Sequence, residues 1–454
     1  MITALALGMI VLFIVLLARK KLDVFCSLSL VPLVFGFIAA LVQGKPLFEV
    51  FSWIKTGLFY SVNATTGKVS LGVISPALLI LFAVLYFDIM LNTGLFDPLC
   101  EFFIKKAKGD PLKIMMSTVL VASVVTLNGD TTTTILICLA AFLELYKKMN
   151  MSLLKLAVII VMPIGIFNQL PWGGPSIACA TALDVDVAEL FRSILPGMLV
   201  AEVFVLFVTY VIGLQERKRL NFNPKDAKNL SQDQLNEMLA SIRESNPELK
   251  RPKLYAFNLI LTIVLLALLL QGAAHGAILF MLGAALALVV NYRTVEACVD
   301  RINDLASDAL MPAVATFAAG VFSGVLGGSG MSTALAKSIA GIIPTSLGVH
   351  MAPIYAIIAA PAICFLPQDA FYFGIASVLK NVMGQFGITA QQAAVASMVG
   401  QSFRLISPVI PALFMLCERT KTNFVTFQKE YCKYAWPILF IYLFAHTMTG
   451  AMPF

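Results

Sequence analysis

Residues 128–134 have the sequence Asn-Gly-Asp-Thr-Thr-Thr-Thr, and they stand between two apolar segments, 112–127 and 135 to about 147. Polar residues inside such a segment are expensive in a lipid environment unless they are paired or hydrated. A glycine beside an aspartate and a threonine run also favours a chain reversal followed by a new helix. This stretch therefore predicts a helical hairpin with a polar tip.

A second stretch of the same kind lies in the other half of the chain. Pro367-Gln368-Asp369 follows the apolar segment 351–366 and precedes a helix to about residue 380. Asp369 follows Asp130 at nearly the same interval, roughly 235–240 residues, that separates Pro411 from Pro175, as an internal repeat requires. We infer that the sequence is duplicated.

Composition indicates the environment of these segments. The chain of 454 residues is 59% hydrophobic and 13% charged, whereas soluble domains are about 45–50% apolar and about 25% charged. A backbone in lipid must satisfy its own hydrogen bonds, which favours helices of about 20 residues. We predict an all-α polytopic membrane protein with ten spans, at 2–18, 24–42, 73–92, 152–185, 194–214, 254–271, 275–291, 305–326, from 392, and 434–449.

Charge and cysteine usage exclude other classes of protein. A net charge of +7 is typical of membrane proteins whose cytoplasmic loops are rich in Lys and Arg, so we expect a lipid bilayer and no nucleic acid as partner. The eight cysteines form no CxxC pair and the three histidines are scattered, so no fixed metal site and no disulfide framework is expected. We expect no cofactor.

The topology follows from the basic residues. If both hairpins return to the side they enter, most Lys and Arg residues lie on one face, which is then cytoplasmic. Full transmembrane pairs would give the same charge distribution. Each repeat has five spans, so the second enters the membrane in the opposite direction. We predict a first inverted repeat at 1–214, a cytoplasmic linker at 215–253 with a short helix after Ser231, and a second repeat at 254–454. The predicted location is the bacterial inner membrane.

Each repeat also contains a helix that is broken at membrane depth. The first break is Pro171-Trp172-Gly173-Gly174-Pro175, and the second is Arg404-Leu405-Ile406-Ser407-Pro408. A broken helix exposes amides that attract anions and carbonyls that attract cations. This is the arrangement of a midplane transport site. The candidate binding residues are Asn128, Gly129, Asp130, Thr131, Thr132, Gly173, Gly174, Ser176, Gln368, Asp369, Ser402, Arg404 and Ser407.

The charged candidates have different expected roles. Asp130 and Asp369 would serve the coupling ion, either H⁺ or Na⁺, although Asp130 is equally suited to cap a helix. Arg404 would hold a substrate carboxylate with its guanidinium fork, or it would form a structural ion pair.

These motifs together resemble the bacterial citrate–metal–proton symporter family, within the ion-transporter superfamily that includes divalent anion/sodium symporters. Asp369-Ala370-Phe371-Tyr372-Phe373-Gly374 and Ser407-Pro408-Val409-Ile410-Pro411-Ala412 contribute to the resemblance, and Pro171–Pro175 is its most specific element. The resemblance implies proton-coupled uptake of citrate with a co-transported Mg²⁺ or other divalent cation. It also implies a scaffold and a transport domain, elevator-type movement and a homodimer.

Two positions depart from that family pattern. Asn128 stands where an acidic residue is expected, and Arg404 is an additional base. Both changes make the site more positive, which favours a free anion, including a smaller organic acid, over a metal complex. An anion channel would also fit broken helices, but inverted repeats with hairpins favour a carrier. An intramembrane enzyme would need a nucleophile–base pair or a metal cluster, and the sequence has no HExxH motif.

Overall fold

A computed structural model describes residues 1–19, 21–62, 69–107, 110–222, 247–408 and 410–454. Most of the linker, including the short helix predicted after Ser231, lies outside the described residues.

The described part of the first half contains ten α-helices and two short β-strands. The helices are α1 (Ile2–Ala18), α2 (Val24–Val42), α3 (Glu49–Leu58), α4 (Ile74–Asn92), α5 (Asp97–Ala107), α6 (Pro111–Val125), α7 (Thr131–Lys148), α8 (Leu153–Phe167), α9 (Gly174–Leu183) and α10 (Val187–Arg219). The antiparallel strands are β1 (Tyr60–Val62) and β2 (Val69–Leu71), with Tyr60 opposite Leu71.

The second half, from residue 247, is helical in its described part. Its α-helices are α11 (Tyr255–Gln271), α12 (Gly276–Tyr292), α13 (Val295–Gly328), α14 (Met331–Ala340), α15 (Thr345–Gly348), α16 (Met351–Phe365), α17 (Ser377–Gly384), α18 (Ala390–Val399), α19 (Pro411–Arg419) and α20 (Phe424–Met448). A π-helix, Ala370–Ala376, precedes α17, and a 3₁₀-helix, Gly400–Ile406, follows α18.

Side chains at the helix starts explain several of these boundaries. Asp110, Asp186 and Thr294 each accept a hydrogen bond from a backbone amide in the first turn, which satisfies a donor that has no partner within the helix. Among the described residues, seven helices are long and apolar enough to cross a membrane. The predicted fold class, an all-α polytopic membrane protein, is confirmed.

The two halves repeat one order of elements. Helices α4 and α13 are each followed by a glycine with positive φ, Gly94 at +83° and Gly330 at +75°, and then by a short helix. A hairpin comes next, α6–α7 in the first half and α16–α17 in the second. A broken helix and a long closing helix complete each half: α8–α9 with α10, and α18–α19 with α20.

Three features differ from the sequence-based prediction. Helix α3 and the two β-strands were not expected, because a ten-residue helix with Glu49 and Lys55 gives no span signal. Helices α10, α13 and α20 begin seven, ten and ten residues earlier than predicted, and a proline lies inside each of them. The second hairpin re-enters as a π-helix instead of an α-helix.

Contacts between helices divide the protein into two layers. The first layer contains α2, α3, α4, α12 and α13, and here glycines bring backbones together: a Cβ on Gly57 of α3 would lie 2.1 Å from the Gly320 carbonyl oxygen of α13. The second layer contains α5–α10, α14 and α16–α20, and therefore both hairpins and both broken helices. Helix α1 contacts both layers.

Candidate functional site

The first hairpin tip is held by its own polar residues. A 3₁₀ turn, Thr126–Asn128, ends at Gly129, which has φ +86°, a conformation that favours glycine. The Asp130 carboxylate accepts from the Thr133 amide at 2.5 Å, and Asn128 Oδ1 accepts from the Asp130 amide at 2.8 Å. Asp130 therefore caps α7, the structural role considered for it, while its side chain remains exposed.

This tip is bound to the first helix break. Asn168 Nδ2 donates to Thr131 Oγ1 at 3.0 Å, and Trp172 Nε1 donates to the Leu127 carbonyl at 2.9 Å. The Trp172 ring stacks on Phe87 of α4 with centroids 4.3 Å apart. Helices α8 and α9 are about 22 Å and about 15 Å long, and the first tip contacts the gap between them. The re-entrance of this hairpin stays a prediction.

The second tip is held in an equivalent way. Leu366 is extended after α16, and Arg404 Nη1 donates to the carbonyls of Ile363 and Leu366, each at 3.1 Å. Arg404 thus ties the second break to the end of α16, as Trp172 ties the first break to the end of α6. Asp369 differs from Asp130, since its side chain does not cap the helix that follows it.

The second tip also reaches the first break. A Cβ on Gly174 would lie 3.3 Å from Gln368 Nε2, so Gln368 packs against the first residue of α9. The first tip contacts the same break from the other side through Asn168 and Trp172. The structure therefore brings the two tips together around one helix break.

The serine candidates are all buried. Ser176 Oγ donates to the Gln169 carbonyl at 2.7 Å, and Ser402 Oγ donates to the Val399 carbonyl at 3.2 Å. The Ser407 amide donates to the Arg404 carbonyl at 3.1 Å. These bonds stabilise the non-helical backbone. A role of these residues in binding a substrate stays a prediction.

The remaining candidates lie at the first break and the first tip. Thr132 is exposed in the first turn of α7, next to Thr131. Gly173 is extended and is the N-cap of α9, and its amide donates to the Leu170 carbonyl at 2.8 Å. A Cβ on Gly173 would lie 2.0 Å from the Asn168 carbonyl oxygen, so this position admits only glycine.

Sequence reasoning missed the amide side chains of the breaks. Gln169 Nε2 donates to Tyr442 Oη at 3.0 Å, and Gln401 Nε2 donates to Tyr372 Oη at 2.7 Å, so each break has a glutamine bound to a buried tyrosine. Asn168 Oδ1 and Asn128 Nδ2 are buried and have no hydrogen-bond partner among the described residues. Buried amides are normally satisfied, so these atoms suit a ligand. Gln169 and Gln401 each lie two residues after the first helix of a break, α8 and α18. This shared position was the signal that could have identified the two glutamines.

A cavity of about 790 Å³ lies between the two layers. It is lined by α3, α4 and α13 on one side and by α9 and α17 on the other. Lys380 lies at this cavity, and its Nζ donates to the Leu183 carbonyl at the end of α9, at 2.8 Å. Under the predicted topology the cavity opens on the extracytoplasmic side. Its lining includes Thr181 and Ser377 but none of the candidate binding residues.

The fold and the site define a multi-pass membrane transporter and not an enzyme. The sequence model of the Citrate transporter family matches residues 1–400, and the chain belongs to that family. It is 36% identical over 454 residues to the "Citrate transporter" of Bacillus subtilis, covering 100% of both chains.

One further relative agrees with this assignment, and one solved structure is similar in fold. The chain is 34% identical over 439 residues to the "Mg(2+)/citrate complex secondary transporter" of the same organism, covering 96% of this chain and 95% of the relative. The crystal structure of the Alcanivorax borkumensis YdaH transporter is similar in fold, with a TM-score of 0.57, 12% identity, and coverage of 92% of this chain and 98% of that one.

Proposed function

We propose that this protein is a secondary active symporter for citrate or a related di- or tricarboxylate. The single observation that carries the proposal is the meeting of both hairpin tips at one helix break, where Thr131 begins α7 and Gly174 begins α9. Helix N-termini present free amides and a partial positive charge, which suits a carboxylate. Relatives that transport citrate, by their names, match 100% and 96% of the chain.

The anion would contact groups from both repeats. Asn128 and Asn168 contribute buried amide atoms that have no partner among the described residues, and Thr131 contributes its hydroxyl. Gln368 approaches from the second tip, and the positive charge of Arg404 acts in the same region. Because Arg404 already binds two backbone carbonyls, we propose that it supports the substrate through its charge as well as through the shape of the second tip.

We propose that the cycle is coupled to protons or to another cation, with Asp130 and Asp369 at the tips as candidate coupling residues. Asp88 of α4 is close enough to Asp130 and Asp308 for their charges to act on it, and its Oδ2 has no partner among the described residues. The negative charges of these three aspartates repel one another, and a cation bound near the first tip would reduce that repulsion.

A divalent cation would travel as part of the cargo. Within the described ranges, no three His, Cys, Asp or Glu residues are grouped in a way that could hold a metal ion. Citrate itself has carboxylate oxygens, the ligands that Mg²⁺ prefers. The substrate would therefore provide the ligands of any divalent ion carried with it.

We further propose elevator-type alternating access. The layer that contains both tips and both breaks would move against the layer of α2, α3, α4, α12 and α13, and the cavity between the layers provides space for substrate entry. The homodimer remains a prediction from the family resemblance.

The test is uptake of labelled citrate by purified protein in proteoliposomes. Four conditions are compared: with and without an inward proton gradient, each with and without Mg²⁺. We expect gradient-driven accumulation. Absence of accumulation of every di- and tricarboxylate tested, with any imposed gradient of H⁺ or Na⁺, would contradict the proposal. Anion current that follows only the anion gradient would indicate a channel.

A further inference from the structure

The closing helix of the first repeat holds a carboxylate inside the membrane. Glu202 lies near the middle of α10, and its Oε1 accepts a hydrogen bond from Ser123 Oγ of α6 at 2.7 Å. Its Oε2 is buried without a hydrogen-bond partner in the described part of the chain. An ionisable side chain at this depth is costly, so its presence indicates a function.

Tyr442 of α20, a helix that packs against α10, is bonded to the first helix break. Its hydroxyl accepts from Gln169 Nε2 at 3.0 Å. The Gln169 carbonyl accepts from Ser176 Oγ at 2.7 Å. A series of hydrogen bonds therefore leads from α20, the neighbour of the helix that carries Glu202, to the break that both hairpin tips contact.

Tyr442 also contacts a buried histidine. The ring of His446 is 1% exposed, is stacked with Tyr442 at a centroid distance of 5.7 Å, and has no described partner for Nδ1. Tyr442 and His446 are the titratable groups of α20 at this level, whereas Glu430 lies near the start of that helix, where it pairs with Lys155 of α8 and Lys433 of α20.

The other helices against α10 contribute few titratable groups. Lys113, Lys155 and Tyr255 lie in the first turns of α6, α8 and α11, respectively. Cys179 is the titratable side chain of α9, and α18 has none. Glu202 is therefore the carboxylate of this region.

The described part of the second repeat has no equivalent of the hydrogen-bonded pair Glu202 and Ser123. Helix α16, the counterpart of α6, has no acidic residue, and α20 has none after Glu430. A carboxylate that the fold itself required would be expected in both repeats. The presence of Glu202 in one repeat favours a role in the transport cycle.

We propose that Glu202 is a proton-binding site of the transport cycle, a role that rests on the proposed symport. Its carboxylate takes one proton from the solution on one side of the membrane, and the neutral acid releases that proton on the other side. Protonation removes the penalty of moving a desolvated charge with the layer that carries the tips.

The experiment compares wild type with Glu202→Gln, which resembles the protonated acid permanently, in proteoliposomes held at zero membrane potential. One coupled proton contributes about a tenfold accumulation ratio for each pH unit of gradient. We expect E202Q to lose that factor while it retains exchange of labelled for unlabelled citrate at equal pH. A pH-sensitive dye inside the vesicles should show one proton fewer per citrate. Glu144→Gln is the matched control, because Glu144 is exposed and pairs with Lys147 at the end of α7.

Each outcome has a defined meaning. Unchanged proton-driven accumulation in E202Q would overturn the inference and leave the proposed function intact. If E202Q denatures at the wild-type temperature but loses both citrate exchange and proton-driven accumulation, the inference would also be overturned. Glu202 would then be needed for citrate binding or for movement of the layer, and not for proton coupling. If E202Q does not fold, Ser123→Ala replaces it, and a pH profile of uptake identical to that of wild type would contradict the proposal. Failure of wild type to couple citrate to protons would refute the proposed function itself.

Discussion

At the scale of single residues, equivalent positions in the two repeats have different structural roles. Asp130 caps α7 through the Thr133 amide, whereas Asp369 precedes a π-helix that it does not cap. Arg404, which the sequence offered as a carboxylate ligand, donates to two carbonyls at the end of α16. Capping and substrate binding need separate tests, because both use the same polar groups.

Replacement of Asp130 separates these two roles. Serine is also a good N-cap, so Asp130→Ser should keep the denaturation temperature near that of wild type, while Asp130→Ala should lose about 0.5–2 kcal/mol of stability. We expect both variants to lose citrate uptake, because neither retains the carboxylate. Normal uptake by D130S would show that Asp130 serves only as a cap. Thermal denaturation and proteoliposome uptake are the two measurements.

Gly197 is predicted to be required for the packing of His446. A Cβ at this position would lie 2.5 Å from His446 Cε1, whereas a Cβ on Gly327 would meet no atom within 4 Å. Gly197→Ala should therefore destabilise the protein by about 1–3 kcal/mol through overpacking. The control Gly327→Ala should be neutral or slightly stabilising. Equal denaturation temperatures for the two variants would contradict the packing seen here.

At the scale of elements, each hairpin depends on the broken helix beside it. Trp172 and Arg404 donate to carbonyls at the ends of α6 and α16, the positions where a helix leaves acceptors without partners. These bonds give the carbonyls at the hairpin tips partners from the neighbouring broken helix.

Trp172→Phe tests the anchor of the first tip. Phenylalanine retains much of the stacking on Phe87 but cannot donate to the Leu127 carbonyl, so we expect a loss of about 0.5–1.5 kcal/mol and reduced uptake. Trp436→Phe is the control, because Trp436 is 48% exposed on α20. Equal uptake by the two variants would argue against a functional anchor.

A second link joins α6 to α10 at the predicted cytoplasmic side. Arg217 Nε donates to Asp110 Oδ1 at 2.8 Å, and Arg217 Nη2 also contacts that carboxylate. Burial by itself raises the pKa of Asp110, but the hydrogen bonds and charge of Arg217 outweigh it and lower the pKa below its usual value. A carboxylate with a lowered pKa stabilises the fold at pH values above the unfolded pKa of about 3.9, and that contribution disappears as pH falls through the folded pKa.

Asp110→Asn should therefore reduce stability by about 1–3 kcal/mol at pH 7, since asparagine can still cap α6 but cannot form the ion pair. The difference between wild type and D110N should shrink when the pH is lowered from 5 to 3. Chemical denaturation in detergent at several pH values measures it. A difference that is independent of pH would mean that the ion pair contributes no net stability.

At the scale of the whole molecule, the two repeats divide their elements between two layers, and a cavity of about 790 Å³ separates them. The second layer contains every element of the candidate site. Movement of that layer would carry the site across the membrane without opening a continuous pore, which is the physical basis of the proposed elevator.

A thermal-shift experiment tests the cargo on the whole protein. A ligand that binds only the folded state stabilises it by about 2.7 kcal/mol at a concentration 100 times its Kd. We expect citrate to raise the denaturation temperature of purified protein. A larger shift with citrate and Mg²⁺ together than with either alone would indicate the metal complex, and a shift that Mg²⁺ reduces would indicate the free anion. Glutarate and acetate are suitable comparison ligands.

Much of the architecture followed from local patterns. The hairpins around Asp130 and Asp369 and the breaks at Pro171–Pro175 and Arg404–Pro408 were predicted, because proline, glycine and polar residues interrupt apolar helices in recognisable ways. Helix α3 was missed because its stabilisation comes from glycine contacts with α13, which no local pattern reveals. The glutamine–tyrosine pairs were missed because their partners are far apart in the sequence.

The sequence by itself determined the lipid environment, the duplication and the positions of the four polar interruptions, since each depends on composition or on residues adjacent in the chain. Only the tertiary structure decided that both tips meet the same break, that Arg404 binds carbonyls, and that Glu202 lies beside Ser123. These are contacts between residues far apart in the chain. They are fixed by the packing of helices against each other, which hydrophobic periodicity alone does not specify.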